Sequence, residues 1–166
     1  MAALVHARLG LTALLGCAAI AAAIATAAAG ASSSSGCSPL RSTISGHRAI
    51  AYCGPATVVI QIAGASYRFH NGICDRSAMM GGLELNVGTL VQGAAGNAGR
   101  PFVGLLIARP PSESEAFEAD TGGRQLFGDT VVAPGGTLLS KGAFTSLYGT
   151  AFSGSWNCHG VIHAGP

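Results

Sequence analysis

From Ala56 onward the chain alternates. Val58, Ile60 and Ile62 share one face, with Val59, Gln61 and Ala63 on the other. After Gly64-Ala65 the alternation resumes, Tyr67 and Phe69 against Arg68 and His70, and two period-two runs about a glycine-bearing break predict a hairpin. Asn71-Gly72 reads as a further turn that leads Ile73 and Cys74 into the core. Leu83, Leu85 and Val87 alternate with Glu84, Asn86 and Gly88 in a second clear strand running toward Val91. The glycine-rich stretch 93–101 lacks bulky side chains and reads as a long loop. Phe102 to Ala108 is apolar on both faces and predicts a central strand, ended by Pro110-Pro111.

Beyond the prolines the signal shortens. Glu113, Glu115, Glu118 and Asp120 mark residues 112–121 as a solvated polar loop entering an edge strand around Phe117. Gly122-Gly123 turns the chain, and short strands follow over 124–127, 130–133 and 137–140, the last two separated by Pro134-Gly135-Gly136. A final pair, 143–152 and 155–162, is divided at Ser153-Gly154. Turn signals recur about every ten residues and no helical stripe appears past the first 31 residues, so the expected fold is all-β. It is an antiparallel β-sandwich or partly open barrel of about seven to ten strands, after an N-terminal signal helix.

Residues 1–31 form a separate block. His6 and Arg8 precede an apolar run from Leu9 to Ala29, which ends in small residues and then Ser32-Ser33-Ser34-Ser35-Gly36. A weakly positive start, an apolar middle and an Ala-x-Ala-like exit predict a secretory signal peptide cleaved after Ala29 or Ala31. Two rivals stand beside it. One is lipidation at Cys17, following Leu14-Leu15-Gly16; the other is an uncleaved anchor over 9–31, long enough to span a bilayer. The expected organisation is therefore 1–31 signal peptide, 32–55 Ser/Gly-rich disulfide-tied arm and 56–166 β-domain. Membrane contact is expected only through a lipidated or uncleaved N-terminus.

Export changes the reading of the cysteines. Cys37, Cys53, Cys74 and Cys158 remain after the leader, an even number in an oxidising compartment. Three connectivities are open to four cysteines, and spacing alone does not choose among them. The expected pairing is Cys37–Cys53, closing a local loop, and Cys74–Cys158, stapling an early strand to the last. Trp156 is the only tryptophan and lies two residues before Cys158, so on a strand both side chains share a face and core packing is expected.

Composition narrows function by exclusion. Of 166 residues only 10% are charged, and the formal net charge is +2 with a single lysine, Lys141. Such a surface cannot neutralise a run of phosphates, so no nucleic-acid partner is expected. No Gly-x-Ser-x-Gly elbow occurs, Ser140 and Lys141 would point to opposite strand faces, and the 93–99 glycines lack a following Lys-Ser/Thr. His159 and His163 have metal-like spacing, yet on a strand they stand about 13 Å apart, so no metal ligands are assigned. No catalytic residue and no cofactor is assigned either. Should a ligand site exist, Tyr67, Arg68 and His70 on the hairpin are the first candidates, followed by the 93–99 loop.

At Tyr67–Cys74 and over Gly149-Thr150-Ala151 and Gly154-Ser155-Trp156-Asn157-Cys158, the chain resembles actinobacterial envelope proteins of the mycobacterial LpqH-type lipoprotein antigen family. The resemblance covers about residues 56–160 in outline, with Cys74 and Cys158 as the matching early and late cysteines. It implies a β-rich envelope or secreted antigen without a defined reaction. The chain departs from that pattern by lacking a lipobox in good context and by adding Cys37 and Cys53. The leading expectation is an exported, non-enzymatic β-domain that binds an envelope component or a small apolar ligand, held for instance between its sheets. One alternative is a secreted hydrolase whose site assembles two or more of Asp75, Glu84, Asp129, His70 and His159; another is a purely structural or antigenic surface protein.

Overall fold

A computed structural model of the chain describes residues 37–77, 81–136 and 139–164. The leader readings over 1–31 lie outside the described residues, as do the serines that open the arm. Ten strands follow in chain order: β1 Leu40–Ile44, β2 His47–Ala51, β3 Ala56–Ile62, β4 Ala65–Arg76, β5 Leu83–Val91, β6 Phe102–Ile107, β7 Glu115–Asp120, β8 Gln125–Gly135, β9 Lys141–Ser146 and β10 Phe152–Asn157.

Strands β3 to β10 close into an eight-stranded antiparallel barrel. Each pairs with its sequence neighbour, and β10 returns to β3 through Trp156 opposite Val58 and Phe152 opposite Ile62. Of the two expected architectures the barrel is the one formed, and it is closed rather than partly open. Closure leaves none of its eight strands with a free edge, so β7 is an interior strand of the ring and not the edge strand expected from its acids.

The period-two pattern sorts side chains to the two surfaces of this wall. Val58, Ile60, Ile62, Leu83, Leu85, Val87, Val103, Leu105, Ile107 and Phe117 point inward and are buried in one cluster. Phe117, Phe144 and Phe152 fill the interior around Phe117, with ring centroids 5.1 Å from Phe144 and 4.7 Å from Phe152. Trp156 stacks on Phe144 and donates its indole N–H to the Leu139 carbonyl at 2.9 Å. Its burial beside Cys158 is the packing role expected from the sequence.

Three readings of small residues are corrected by this packing. Ser153-Gly154 is not a turn but lies inside β10, and the chain reverses over 147–151 instead. A Cβ at Gly154 would enter the Phe144 ring and the Val59 carbonyl, so the glycine makes room for an aromatic across the strand pair. Asn71-Gly72 is likewise within β4, where Asn71 takes a φ of 63° and the pairing with β3 slips by a bulge. The separate strands expected at 124–127 and 130–133 are one strand, β8.

The expected arm is an ordered hairpin, β1–β2, lying beside the barrel. Residues 83–88 of β5 pair with β6, and residues 89–91 pair with β2. Gly88 sits at the handover with φ 95°, a conformation open to glycine, and a Cβ there would meet the Pro101 carbonyl. Both expected disulfides are present, Cys37–Cys53 with Cα atoms 5.9 Å apart and Cys74–Cys158 at 5.8 Å. The first ties the hairpin's ends together; the second joins β4 to the segment following β10. Two disulfides suit an oxidising, extracytoplasmic environment.

Candidate functional site

Buried hydrophobic side chains fill the barrel interior, and two concavities are lined in large part by outward-facing residues. Register lines up the outward residues of adjacent strands in rows. One row runs Asn86, Gly104, Glu118, Phe127 across β5 to β8; a second runs Gly88, Phe102, Asp120, Gln125; a third runs Glu84, Leu106, Ala116, Asp129. Gly104 stands at the centre of the first row and contributes no side chain. A Cβ there would come to 3.2 Å from the Phe102 ring and 3.4 Å from Glu118. The missing side chain makes the floor of a groove of about 530 Å³.

The hairpin supplies the facing wall. Tyr52 and Ile50 line the groove opposite β6, and the Tyr52 ring stacks on Phe102 with centroids 6.0 Å apart. Leu106, Leu90 and Phe127 add apolar surface, and Phe127 is 65% exposed at the rim. Glu84 and Asn86 are joined by a 2.9 Å hydrogen bond from the amide to the carboxylate, which orients both toward the groove.

A smaller concavity of about 180 Å³ adjoins this groove. Leu90, Gln92, Phe102, Glu118 and Phe127 line both. Its remaining walls come from Gly93, Ala94 and Asn97 of the glycine-rich loop and from Asp120 and Gln125. The loop is built around Asn97, whose side chain accepts from the Val91 N–H and donates to the Thr89 and Arg100 carbonyls. That network holds Gly96, Asn97 and Ala98 at positive φ. Asp120 is 3% exposed; its Oδ1 accepts from the Gly122 N–H at 2.7 Å, and its Oδ2 has no partner.

The electrostatics are one-sided. Glu84, Glu118 and Asp120 line these concavities, and among the described lining residues there is no lysine, arginine or histidine. Burial pushes the Tyr52 hydroxyl above its ordinary value; the Glu84, Asp75 and Glu118 charges push it further, against the opposing pull of Arg41.

The acids were expected to be solvated, and two of them are not. Glu115 is 1% exposed and accepts from the Ala108 N–H at 2.9 Å and the Ser112 N–H at 2.5 Å, pinning the loop after β6. Asp120 is the second. A run of acids does not by itself separate one that caps backbone donors from one in water, because the nearby donors at Ala108, Ser112 and Gly122 meet the carboxylates only once the adjoining loops fold back on them.

The three residues singled out on the hairpin are divided by the strand. Tyr67 turns inward and packs on the core, while Arg68 and His70 stand exposed. None of them lines the groove. Of the hydrolase candidates, Asp75 and Glu84 stand directly opposite each other on β4 and β5. Burial raises the Asp75 pKa first, with Glu84 adding to the rise and His163 opposing it. His163 reaches that position because its backbone bridges β4, its N–H donating to the Cys74 carbonyl at 2.8 Å. His159 turns the other way, with its Nε2 3.2 Å from the Thr57 hydroxyl. Among the described residues no three His, Cys, Asp or Glu side chains are grouped to hold a metal ion.

The groove was not read from the sequence. Its parts are Tyr52 in the arm, Glu84 and Asn86 on the polar face of β5, Gly104 in a strand taken as wholly apolar, and Glu118 in a presumed loop. Of these surroundings the sequence singles out the glycine-rich loop 93–99 and, for a different chemistry, Glu84. No protein-family model, curated protein or solved structure matches the chain.

Proposed function

We propose that this chain is a ligand-binding β-barrel module, exported and acting at or outside the cell envelope without a reaction of its own, and that its site is the groove between the β1–β2 hairpin and the outer face of β5–β8. The observation that carries the reading is the pairing of a side-chain-free floor at Gly104 with aromatic walls, Tyr52 and Phe102, in a space of about 530 Å³. Small-molecule sites are commonly concave spaces of about 300–1,000 Å³, mostly apolar with a few convergent polar groups. Here the apolar body of a ligand would lie on the rings, with Asn86, Glu84 and Glu118 as polar groups along its length. The LpqH-type likeness and the signal-peptide reading of residues 1–31 support the envelope placement.

The test is an NMR titration of isotope-labelled protein with 4-phenylbutanol, an uncharged arylalkyl probe. Shifts concentrated on Tyr52, Phe102, Gly104 and Phe127, and lost in the groove-filling variant Gly104→Leu, are expected. Shifts elsewhere, or none, would remove the groove as the site.

A second reading, hydrolysis, is favoured by one observation: the Asp75–Glu84 pair with a raised Asp75. Turnover of chromogenic glycosides that D75N abolishes would establish it. The pair alone is a thin basis, since Asp75 does not line the groove and Asp129, His70 and His159 do not join it.

A further inference from the structure

We infer that the groove selects a cationic amine, whose ammonium group is seated at Asp120 while its apolar body lies on Tyr52, Phe102 and Phe127. This rests on the groove being the ligand site. Four features of the molecule converge on it.

Asp120 is a buried carboxylate with an unused acceptor. The Gly122 N–H satisfies Oδ1, and Oδ2 has nothing. Buried polar side chains in native proteins are almost always partnered, so an orphan oxygen marks either a missing ligand or a cost the fold keeps for a purpose. Asn97 on the cavity wall spends both Nδ2 protons on the Thr89 and Arg100 carbonyls, and Gln125, directly across the ladder from Asp120, makes no hydrogen bond to Oδ2.

Asp120 lines a space of fitting size, with Oδ2 itself buried from solvent. The concavity of about 180 Å³ admits an ammonium with its first methylenes, and it adjoins the larger groove across five shared lining residues. A ligand spanning both has its head at Asp120 and its body against the rings.

The charge and surface chemistry favour an organic cation over other classes. Glu84 and Glu118 add negative potential along the path, and no lining cation among the described residues opposes it. Arg41 acts on Tyr52 from outside the lining set. An anionic ligand would meet three carboxylates. A bare metal ion would need more ligands than one buried carboxylate, whereas aromatic faces attract ammonium groups directly.

Preorganisation adds to selectivity. Folding has already taken Asp120 out of water, so an arriving amine does not have to strip the carboxylate. A charge-assisted hydrogen bond then separates the amine from its neutral isostere by about tenfold or more.

The experiment is a calorimetric series on the intact protein with three probes of one shape: 4-phenylbutylamine, 4-phenylbutanol and 4-phenylbutyrate. The amine is expected to bind at least about tenfold more tightly than the alcohol, and the carboxylate more weakly than either. In Asp120→Asn, which keeps an oxygen for the Gly122 N–H, the amine should fall to the alcohol's affinity while the alcohol is unchanged. Equal binding of amine and alcohol by the native protein would overturn the inference and leave the groove standing. An amine preference that survives D120N would also overturn it, assigning the selection to Glu84 or Glu118. Failure of all three probes would remove the groove itself.

Discussion

Tyr52 lies on Phe102 with the two rings 28° from parallel, one from the chain leaving the hairpin and the other from the barrel wall. The contact fastens the hairpin to the barrel and at the same time forms a wall of the groove. Phe102 is buried and Tyr52 half-buried, so the pair divides the work unequally. Phe102→Ala should cost about 3 kcal/mol of stability, in the range for a deleted buried aromatic. Tyr52→Ala should cost about 1 kcal/mol yet abolish probe binding. Urea denaturation paired with the 4-phenylbutanol titration separates the two effects.

The Cys37–Cys53 bridge restrains the same hairpin, and its loss should be local. On the loop-entropy model a bridge of sequence separation 16 contributes about 3 kcal/mol, against about 4.5 kcal/mol for Cys74–Cys158 at separation 84. The double variant Cys37→Ala/Cys53→Ala should keep barrel amide protection, raise exchange over residues 40–51 and weaken groove binding. Loss of Cys74–Cys158 should lower protection throughout the barrel. Hydrogen exchange resolved by residue distinguishes these patterns.

Gly142 and Gly154 are predicted to reject any side chain. A Cβ on Gly142 would enter the Trp156 ring, and one on Gly154 the Phe144 ring. Each alanine substitution should destabilise by about 2–3 kcal/mol through overpacking against a filled core. Gly123, with open space around it and no positive φ, should accept alanine at little cost. Chemical denaturation midpoints of the three variants check the ordering.

What the sequence disclosed and what it hid divide along the same lines as these glycines. Alternation at Val58–Ile62 and Leu83–Val87 gave strands and their inward faces, because a half-buried strand writes its period directly into the chain. The even cysteine count of an exported chain pointed to two disulfides with three pairings open, and the expected pairing is the one present. Gly154 and Gly72 misled, since a glycine that admits a neighbouring side chain and a glycine that bends a turn look alike until the neighbour is known. Closure was hidden for a related reason: the β3–β10 seam joins residues far apart in sequence, and neither strand carries a mark of its partner. The groove combined both difficulties, being assembled from five strands with a floor defined by an absent side chain.

Glu115 should be among the least replaceable acids. Glu115→Ala would leave the Ala108 and Ser112 N–H groups without their acceptor in a buried setting, at a cost of about 2–4 kcal/mol. Glu115→Gln keeps one acceptor oxygen and should recover part of the loss. Thermal unfolding of both variants tests the capping role.

Asp75 gives the fold a pH dependence with a defined sign. Its folded pKa lies above the ordinary 3.8 because burial and Glu84 disfavour the charge more than His163 favours it. Between the ordinary value and the raised one the folded protein holds a proton that the unfolded chain has released. Stability from this group therefore falls as pH rises through that window. Asp75→Asn, neutral throughout, should gain on the native protein as pH increases across it. Denaturation midpoints of the two proteins taken from pH 3 to 7 should diverge in that direction, and parallel curves would reject the assignment.

The barrel's neighbour-to-neighbour strand order has a consequence for how the molecule comes into being. Seven of the eight junctions in the ring are hairpins or short connections that can zip as soon as both strands exist, with small loops to close. The eighth, β3 against β10, waits for the last strand. A chain delivered N-terminus first thus spends its assembly as a curling ribbon whose two margins are bare, each able to recruit a foreign strand. Completion arrives in one event, when β10 docks and brings Cys158 up to Cys74, so covalent locking of the ring reports that both margins have been sealed.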